Sequence, residues 1–376
     1  MAPSKKEENR KPMNYPKQNR PSPCYTTSLN EYKLDMELGL GMFGDLTIEG
    51  QKNKFQPPRE RLNEMIEQVK LAEEAGLDSF VLGEHHRPDY AVSSTEIVLA
   101  ALASVTKKIK LASGVTVLSS SDPVKVYQDY VTLDLLSNNR AEIIAGRGSF
   151  TESFPLFGYD LKDYNELYTE KLDLLLKLNN EETISWEGKF RASLNEQTVY
   201  PRPERKLPVW IAVGGTPQSV ERAARLGLPI MFAIIGGMPR QFKPLVEYYK
   251  EEYQKNGHDI NKMQIGVHSH TFVCNSVDDL LENYYPGYAA QMDRIGATRG
   301  WMPYSKQQFL HGLSPDGALY MGDPSEVTDK ILETIEMFGL TRYIAHVDVG
   351  GPTHKQLMKT IEMFGEKVVP AIRKAI

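Results

Sequence analysis

The chain has 376 residues, 41% hydrophobic and 25% charged, and its 44 basic and 49 acidic residues leave a net charge of −5. Those values exclude wholesale disorder and offer no basic field for nucleic acid. Two cysteines, Cys24 and Cys274, exclude a disulfide framework and any C-x-x-C site and fit a cytoplasmic protein; no apolar run approaches the roughly 18 residues of a membrane helix, so no membrane partner is expected.

Residues 1–35 carry Pro3, Pro12, Pro16, Pro21 and Pro23 and show no apolar periodicity. Such a segment cannot bury enough surface to offset its ordering entropy, and it lacks the apolar core of a secretory signal. It reads as a disordered extension or leader, with a basic interaction arm as the alternative. Met36 opens the first strand-like run, so the folded domain is expected over residues 36–376.

From there strands and helices alternate. MELGLGMF (36–43) is a short apolar run. Leu62, Ile66, Val69 and Ala72 are spaced by three and four, which predicts a helix over 59–75 stopped by Gly76. DSFVLGEHH is the second strand, 94–106 a helix, and KLASGVTVL (110–118) the third strand. Asp122-Pro123 caps a helix to about Leu136. RAEIIAG (140–146) is the fourth strand, and 163–179 a helix. Residues 181–207, rich in Gly, Pro and β-formers, read as an extended insertion or hairpin. Further strands fall at 207–215, 229–235, 263–274 and 341–349. Helices are expected at 217–226, 240–256, 277–293, from Asp323-Pro324 to about Phe338, and over 353–374. Residues 294–322 read as a long irregular region.

Eight strands joined by helices imply parallel pairing through right-handed crossovers, and eight is the number that closes a barrel. The predicted fold is α/β, a (β/α)8 TIM barrel with an extended insertion after the fourth helix and a lid-like loop after the seventh strand. No G-x-G-x-x-G follows the first strand, which argues against a Rossmann sheet.

Chemistry in such a barrel lies at the C-terminal ends of the strands. Strand five ends Gly214-Gly215-Thr216-Pro217-Gln218-Ser219. Thr216 and Pro217 suit the first positions of a helix, whose bare amides favour an anion. Arg147, between Gly146 and Gly148 after strand four, is a second phosphate candidate, with a surface salt bridge as the plain alternative. Adjacent His85 and His86 point to opposite sides if the strand continues through them, so at most one is catalytic. His268 and His270 share a face, but no third ligand is in view and no metal is expected.

Together these residues amount to a resemblance. Glu84-His85-His86, Asp122-Pro123-Val124, Asn139-Arg140-Ala141-Glu142 leading into Gly146-Arg147-Gly148, and Val213 through Ser219 occur in an order similar to that of the bacterial luciferase-like flavin monooxygenases. So do Gly257-His258-Asp259-Ile260 and Gly322-Asp323-Pro324, and the likeness covers about 36–376. It implies FMN at the rim of the barrel, reduced by NAD(P)H directly or through a flavin reductase, and a homodimer. Carried over by position, it implies acid/base work for His85. Arg147 would contact the FMN phosphate, Ser149 would make a backbone contact, and Gly215, Thr216 and Ser219 would form the phosphate loop. Gly114-Val115 falls where the family has a non-proline cis peptide. The family's reactive cysteine position is Gly146 here, which is expected to leave room beside the flavin, and light emission is not expected. The 294–322 segment corresponds to a mobile active-site loop.

The implied activity is oxidation of a small organic substrate by reduced FMN and O2, with the redox chemistry carried by the flavin. Two rivals remain: an F420-dependent hydride-transfer enzyme, and a flavin-binding relative without catalysis. The substrate is not legible in the sequence.

Overall fold

The structure, a computed structural model, describes residues 36–49 and 54–376; the expected leader, 1–35, lies outside the described residues. Eight strands form a ring: β1 (Glu37–Met42), β2 (Ser79–Leu82), β3 (Lys110–Ser113), β4 (Ala141–Gly146), β5 (Val209–Val213), β6 (Ile230–Ala233), β7 (Ile265–Val273) and β8 (Arg342–His346). Neighbours pair in parallel all the way round. Leu38 faces Tyr343 where β1 meets β8, and Ile144 faces Trp210 where β4 meets β5, so the sheet is closed. This is the (β/α)8 barrel that the alternation predicts.

The side-chain period of two sorts residues between two cores. Val81, Ala112, Ile144, Trp210, Met231 and Ile344 form one buried cluster. Their strand neighbours, such as Phe80, Leu111, Ile143 and Tyr343, belong to the larger cluster shared with the helices. At the N-terminal end of the ring, buried Arg342 pairs with Glu142 and Glu37 and lies 4.2 Å over the Trp210 ring. That charged, packed base leaves the opposite mouth for chemistry.

Local signals hold where capping chemistry is explicit. Asp122 accepts from the amides of Val124 and Lys125 at the start of helix Pro123–Leu136, and Asp323 does the same for Ser325 and Glu326 at Pro324–Phe338. Residues 181–207 contain the expected hairpin, Thr183–Trp186 against Leu194–Thr198. An additional pair, Ile48–Glu49 with Lys54–Phe55, follows β1; two residues per strand are too few for an alternation to show.

Two expectations change after β7. The helix expected over 277–293 is two helices, Val277–Asn283 and Tyr285–Ala297. Pro286 falls in the first turn of the second, where its missing N–H does no harm, rather than in the interior of one long helix. Residues 294–322 are not irregular throughout. They contain helix Lys306–Leu313, with a capping box between Ser305 and Gln308, and strand Tyr320–Gly322, which pairs with β7. Phe309 anchors this excursion in a second apolar cluster with Tyr284, Tyr288 and Leu319, while Trp301 and Met302 stay exposed.

No helix among the described residues is long and apolar enough to cross a membrane.

Candidate active site

β2 ends at Leu82, and the chain continues as coil through His86. The backbone of His85 is held by a 2.9 Å bond from its N–H to the Val92 carbonyl. Its ring is enclosed by Phe43, Tyr90 and Phe150, at centroid distances of 4.9, 4.3 and 4.4 Å. Nδ1 lies 3.4 Å from Glu152 Oε1, a long contact. Burial pushes the His85 pKa below its ordinary value, and the Glu152 carboxylate only partly opposes this. Glu152 is half-buried, but the His85 contact and backbone amides outweigh that burial and keep its carboxyl below the usual range. A neutral His85 with Nδ1–H toward Glu152 carries its lone pair on Nε2, which has no hydrogen-bond partner among the described residues.

His86 does not turn away, contrary to the strand-based expectation. His85 and His86 both line one cavity, because strand alternation stops at Leu82 and the following coil is free to aim both rings. Glu84 joins them, its Oε1 4.0 Å from His86 Nε2. Burial, aided by the negative charge of Glu96, pushes the Glu84 carboxyl up to about 8.

The cavity measures about 230 Å³ and opens at the C-terminal mouth. Phe43, Gly114, Val115, Ile144, Gly146, Arg147, Ser149, Phe150, Met231 and His268 are among its walls. The Gly114–Val115 peptide is cis, at the position the resemblance implies. The space expected beside Gly146 is filled from that segment. A Cβ on Gly146 would lie 2.7 Å from Val115 Cγ2 and 2.9 Å from Cγ1, so this glycine admits the valine rather than leaving room for a ligand.

On the far side, Arg147 reaches from the end of β4 across to the turn after β5. Its guanidinium donates to Asn165 Oδ1 at 2.8 Å, to Thr216 Oγ1 at 3.0 Å and to Ser219 Oγ at 3.2 Å. Thr216 is the N-cap residue of helix Pro217–Leu226, and its hydroxyl donates to Ser219 Oγ at 2.9 Å rather than capping an amide. Gly215 has φ +127°, a backbone region that excludes ordinary side chains, and a Cβ there would meet open space. Gly215, Thr216 and Ser219 are not on the cavity wall itself; Arg147 connects them to it. A cation, two hydroxyls and a helix N-terminus at the edge of a concave site form a cradle that fits a phosphomonoester.

Ser149 lines the cavity, and its backbone carbonyl accepts from Arg299 of the excursion after β7 at 3.0 Å. The Arg299 guanidinium also lies 5.0 Å from the Phe150 ring and 5.1 Å from Trp301. The lid-like segment therefore touches the wall that carries Arg147.

Sequence spacing does not mark Glu152 or Tyr164, and it marks His268 only as sharing a face with His270. Glu152 meets His85 across 67 positions, and Tyr164 donates to the Gly148 carbonyl at 2.5 Å, so only the closed ring juxtaposes them. His270 is buried, with its Nδ1 2.9 Å from the Tyr288 hydroxyl.

The luciferase-like monooxygenase family model matches residues 36–344, and the chain belongs to that family. It is a luciferase-like oxidoreductase of a group whose members use FMN or F420. The alkanal monooxygenase alpha chain of Photorhabdus laumondii is 25% identical over 354 residues, covering 85% of this chain and 96% of the relative. The F420-dependent glucose-6-phosphate dehydrogenase of Kribbella flavida is 25% identical over 342 residues, covering 83% and 94%. Among solved structures, monooxygenase RslO1 from Streptomyces bottropensis superposes with a TM-score of 0.75 at 21% identity, over 89% of this chain and 99% of that one.

Proposed function

We propose that the protein is an FMN-dependent monooxygenase that oxidises a small organic substrate with reduced FMN and O2. The observation that carries this reading is the cradle of Arg147, Thr216 and Ser219 on the edge of the cavity that His85 lines. When bound, reduced FMN supplies the electrons and the reaction with O2. The chain's own residues do the rest. Arg147 and the N-terminus of helix Pro217–Leu226 would hold the phosphate, with Gly215 letting the backbone approach. Gly114, Val115 and the Ser149 backbone would hold the ring system in the cavity they line. His85, kept neutral by burial and oriented by Glu152, takes a proton at Nε2 or returns it. Phe43, Phe150 and the excursion after β7 exclude water, which protects reactive species from loss.

By the same reading the protein works in the cytoplasm as a homodimer and receives reduced FMN through NAD(P)H, directly or from a flavin reductase. An F420-dependent hydride transfer is the second reading, supported by the Kribbella relative, which matches at the same identity as the alkanal monooxygenase. A compact cradle around one arginine suits a single phosphate better than a long acidic tail. The test is oxygen uptake by the purified protein with FMN, NAD(P)H and a reductase over a panel of small organic substrates. Substrate-dependent uptake with incorporation of oxygen supports the proposal; turnover only with reduced F420, and without O2, contradicts it.

A further inference from the structure

His268 is a cavity residue that the mechanism above does not use. It sits on β7 facing the interior, and Gly41 on β1 makes way for it: a Cβ at Gly41 would lie 2.5 Å from His268 Nε2. That Nε2 is 2.8 Å from Nδ1 of His346 on β8. His346 Nε2 in turn lies 3.2 Å from Asp348 Oδ1. Asp348 is fully buried and also receives the amides of Phe43 and Gly44 at 3.0 and 2.8 Å and the Arg61 guanidinium at 3.0 Å. Burial works against its charge, but His346, Arg61 and those amides prevail, and the carboxyl stays well below the usual range.

The charged end of this row bears on the arrangement of its protons. If His346 carries its one hydrogen on Nε2, the nitrogen 3.2 Å from Asp348, its Nδ1 is an acceptor. His268 must then donate through Nε2. Burial, with the neighbouring His346 and His270 disfavouring a further positive charge, pushes its pKa far below the ordinary histidine value, so at neutral pH it carries one ring proton. The second nitrogen, Nδ1, has no hydrogen-bond partner among the described residues, and the residue borders the cavity. The charged and titratable groups around this row are His270 on β7, His346 and Asp348 on and after β8, Asp45 after β1, and Arg61 from helix Pro58–Glu74.

We propose that Asp348 and His346 lock His268 as a neutral hydrogen-bond acceptor whose Nδ1 receives an N–H of the flavin ring. Asp348 and His346 are positioning residues, and His268 is the contact. The inference rests on the flavin reading of the cavity, because a flavin supplies a ring imide N–H of the kind a neutral imidazole accepts. A burial site for a bare imidazole nitrogen, sealed behind a three-residue row, selects for a donor and against a carbonyl at that point of the ligand.

Nitrogen-15 NMR of histidine-labelled protein tests this without turnover, with the resonance assigned by His268→Phe. In ligand-free wild type at pH 7 His268 should be protonated at Nε2 and bare at Nδ1. His346→Gln, which keeps an acceptor, should preserve that state, and His346→Leu should lose it. Adding FMN should move the His268 Nδ1 resonance, and His268→Phe should raise the FMN dissociation constant about three- to tenfold, the size of one neutral hydrogen bond. A His268 protonated at Nδ1 in wild type, or an unchanged tautomer in His346→Leu, overturns the lock. FMN binding that leaves the His268 resonance unmoved overturns the contact while sparing the flavin reading. Failure of wild type to bind FMN at all defeats the flavin reading, and the assigned donor with it.

Discussion

On the β2 side of the cavity, Glu84, His85 and His86 sit among aromatic rings, and burial moves the ionisation of all three toward their neutral forms. On the β4–β5 side, Arg147 lies half-buried with three oxygen partners beside a helix N-terminus. The contrast separates two jobs. A group that exchanges protons near neutral pH needs a site that makes its charge costly, whereas a group that holds a dianion needs a permanent charge with access to water and polar neighbours. The lid-like excursion meets the β4 side through Arg299, on the Ser149 carbonyl and over the Phe150 ring, and Phe150 in turn packs against His85.

The largest expected effect breaks the proton-handling wall alone. His85→Ala should still bind FMN but lower single-turnover oxidation of substrate by about 10²–10⁴-fold, the usual contribution of a general acid or base. His86→Ala should also lose activity, although less, since both rings line the cavity. Equal FMN affinity with an unchanged single-turnover rate would reduce His85 to a structural role.

Glu84→Gln sharpens the comparison through stability. The folded protein holds the Glu84 carboxyl at about 8 against an ordinary 4.5, chiefly by burial. A group whose pKa is raised by folding contributes fully below its unfolded value, and that contribution is lost as pH rises from about 4.5 through about 8. Glutamine mimics the protonated acid without that loss. Thermal melts should show variant and wild type nearly equal at pH 4.5 and the variant more stable by about 2–4 °C at pH 8. A variant less stable at both pH values would mean that Glu84 is ionised and paired in the fold.

The smallest effect concerns the bridge between the walls. Hydrogen exchange without ligand should be fast at Gly300–Met302, where Trp301 and Met302 are exposed, and slower across Lys306–Leu313, which Phe309 anchors. Uniformly fast exchange from 294 to 322 would show that Phe309 does not hold the excursion.

Much of this is legible in the sequence. Strand number, the Asp-Pro helix starts at Asp122 and Asp323, and the glycine-flanked Arg147 are local signals, and local signals survive in a linear reading. The resemblance placed the cradle residues at two neighbouring strand ends. What stayed hidden depends on closure or on where a strand stops. Glu152 meets His85, and His268 meets His346, only because the ring brings distant loops together. His86 joined the cavity because regular alternation ended four residues earlier than the pattern suggested. Val115 filled the space beside Gly146, a volume argument that spacing cannot supply. The helix at Lys306–Leu313 did carry a readable sign, the Ser305 and Gln308 capping box.

The central claim is that the Arg147 edge of the cavity holds the phosphate of a flavin. Affinities of wild type and Arg147→Ala for FMN, riboflavin and F420, measured by fluorescence, test it most directly. Wild type should bind FMN more tightly than riboflavin or F420. The variant should weaken FMN by about 10–100-fold, the worth of a charge-assisted contact, and leave riboflavin nearly unchanged. Equal losses for FMN and riboflavin, or a wild type that prefers F420, would contradict the account.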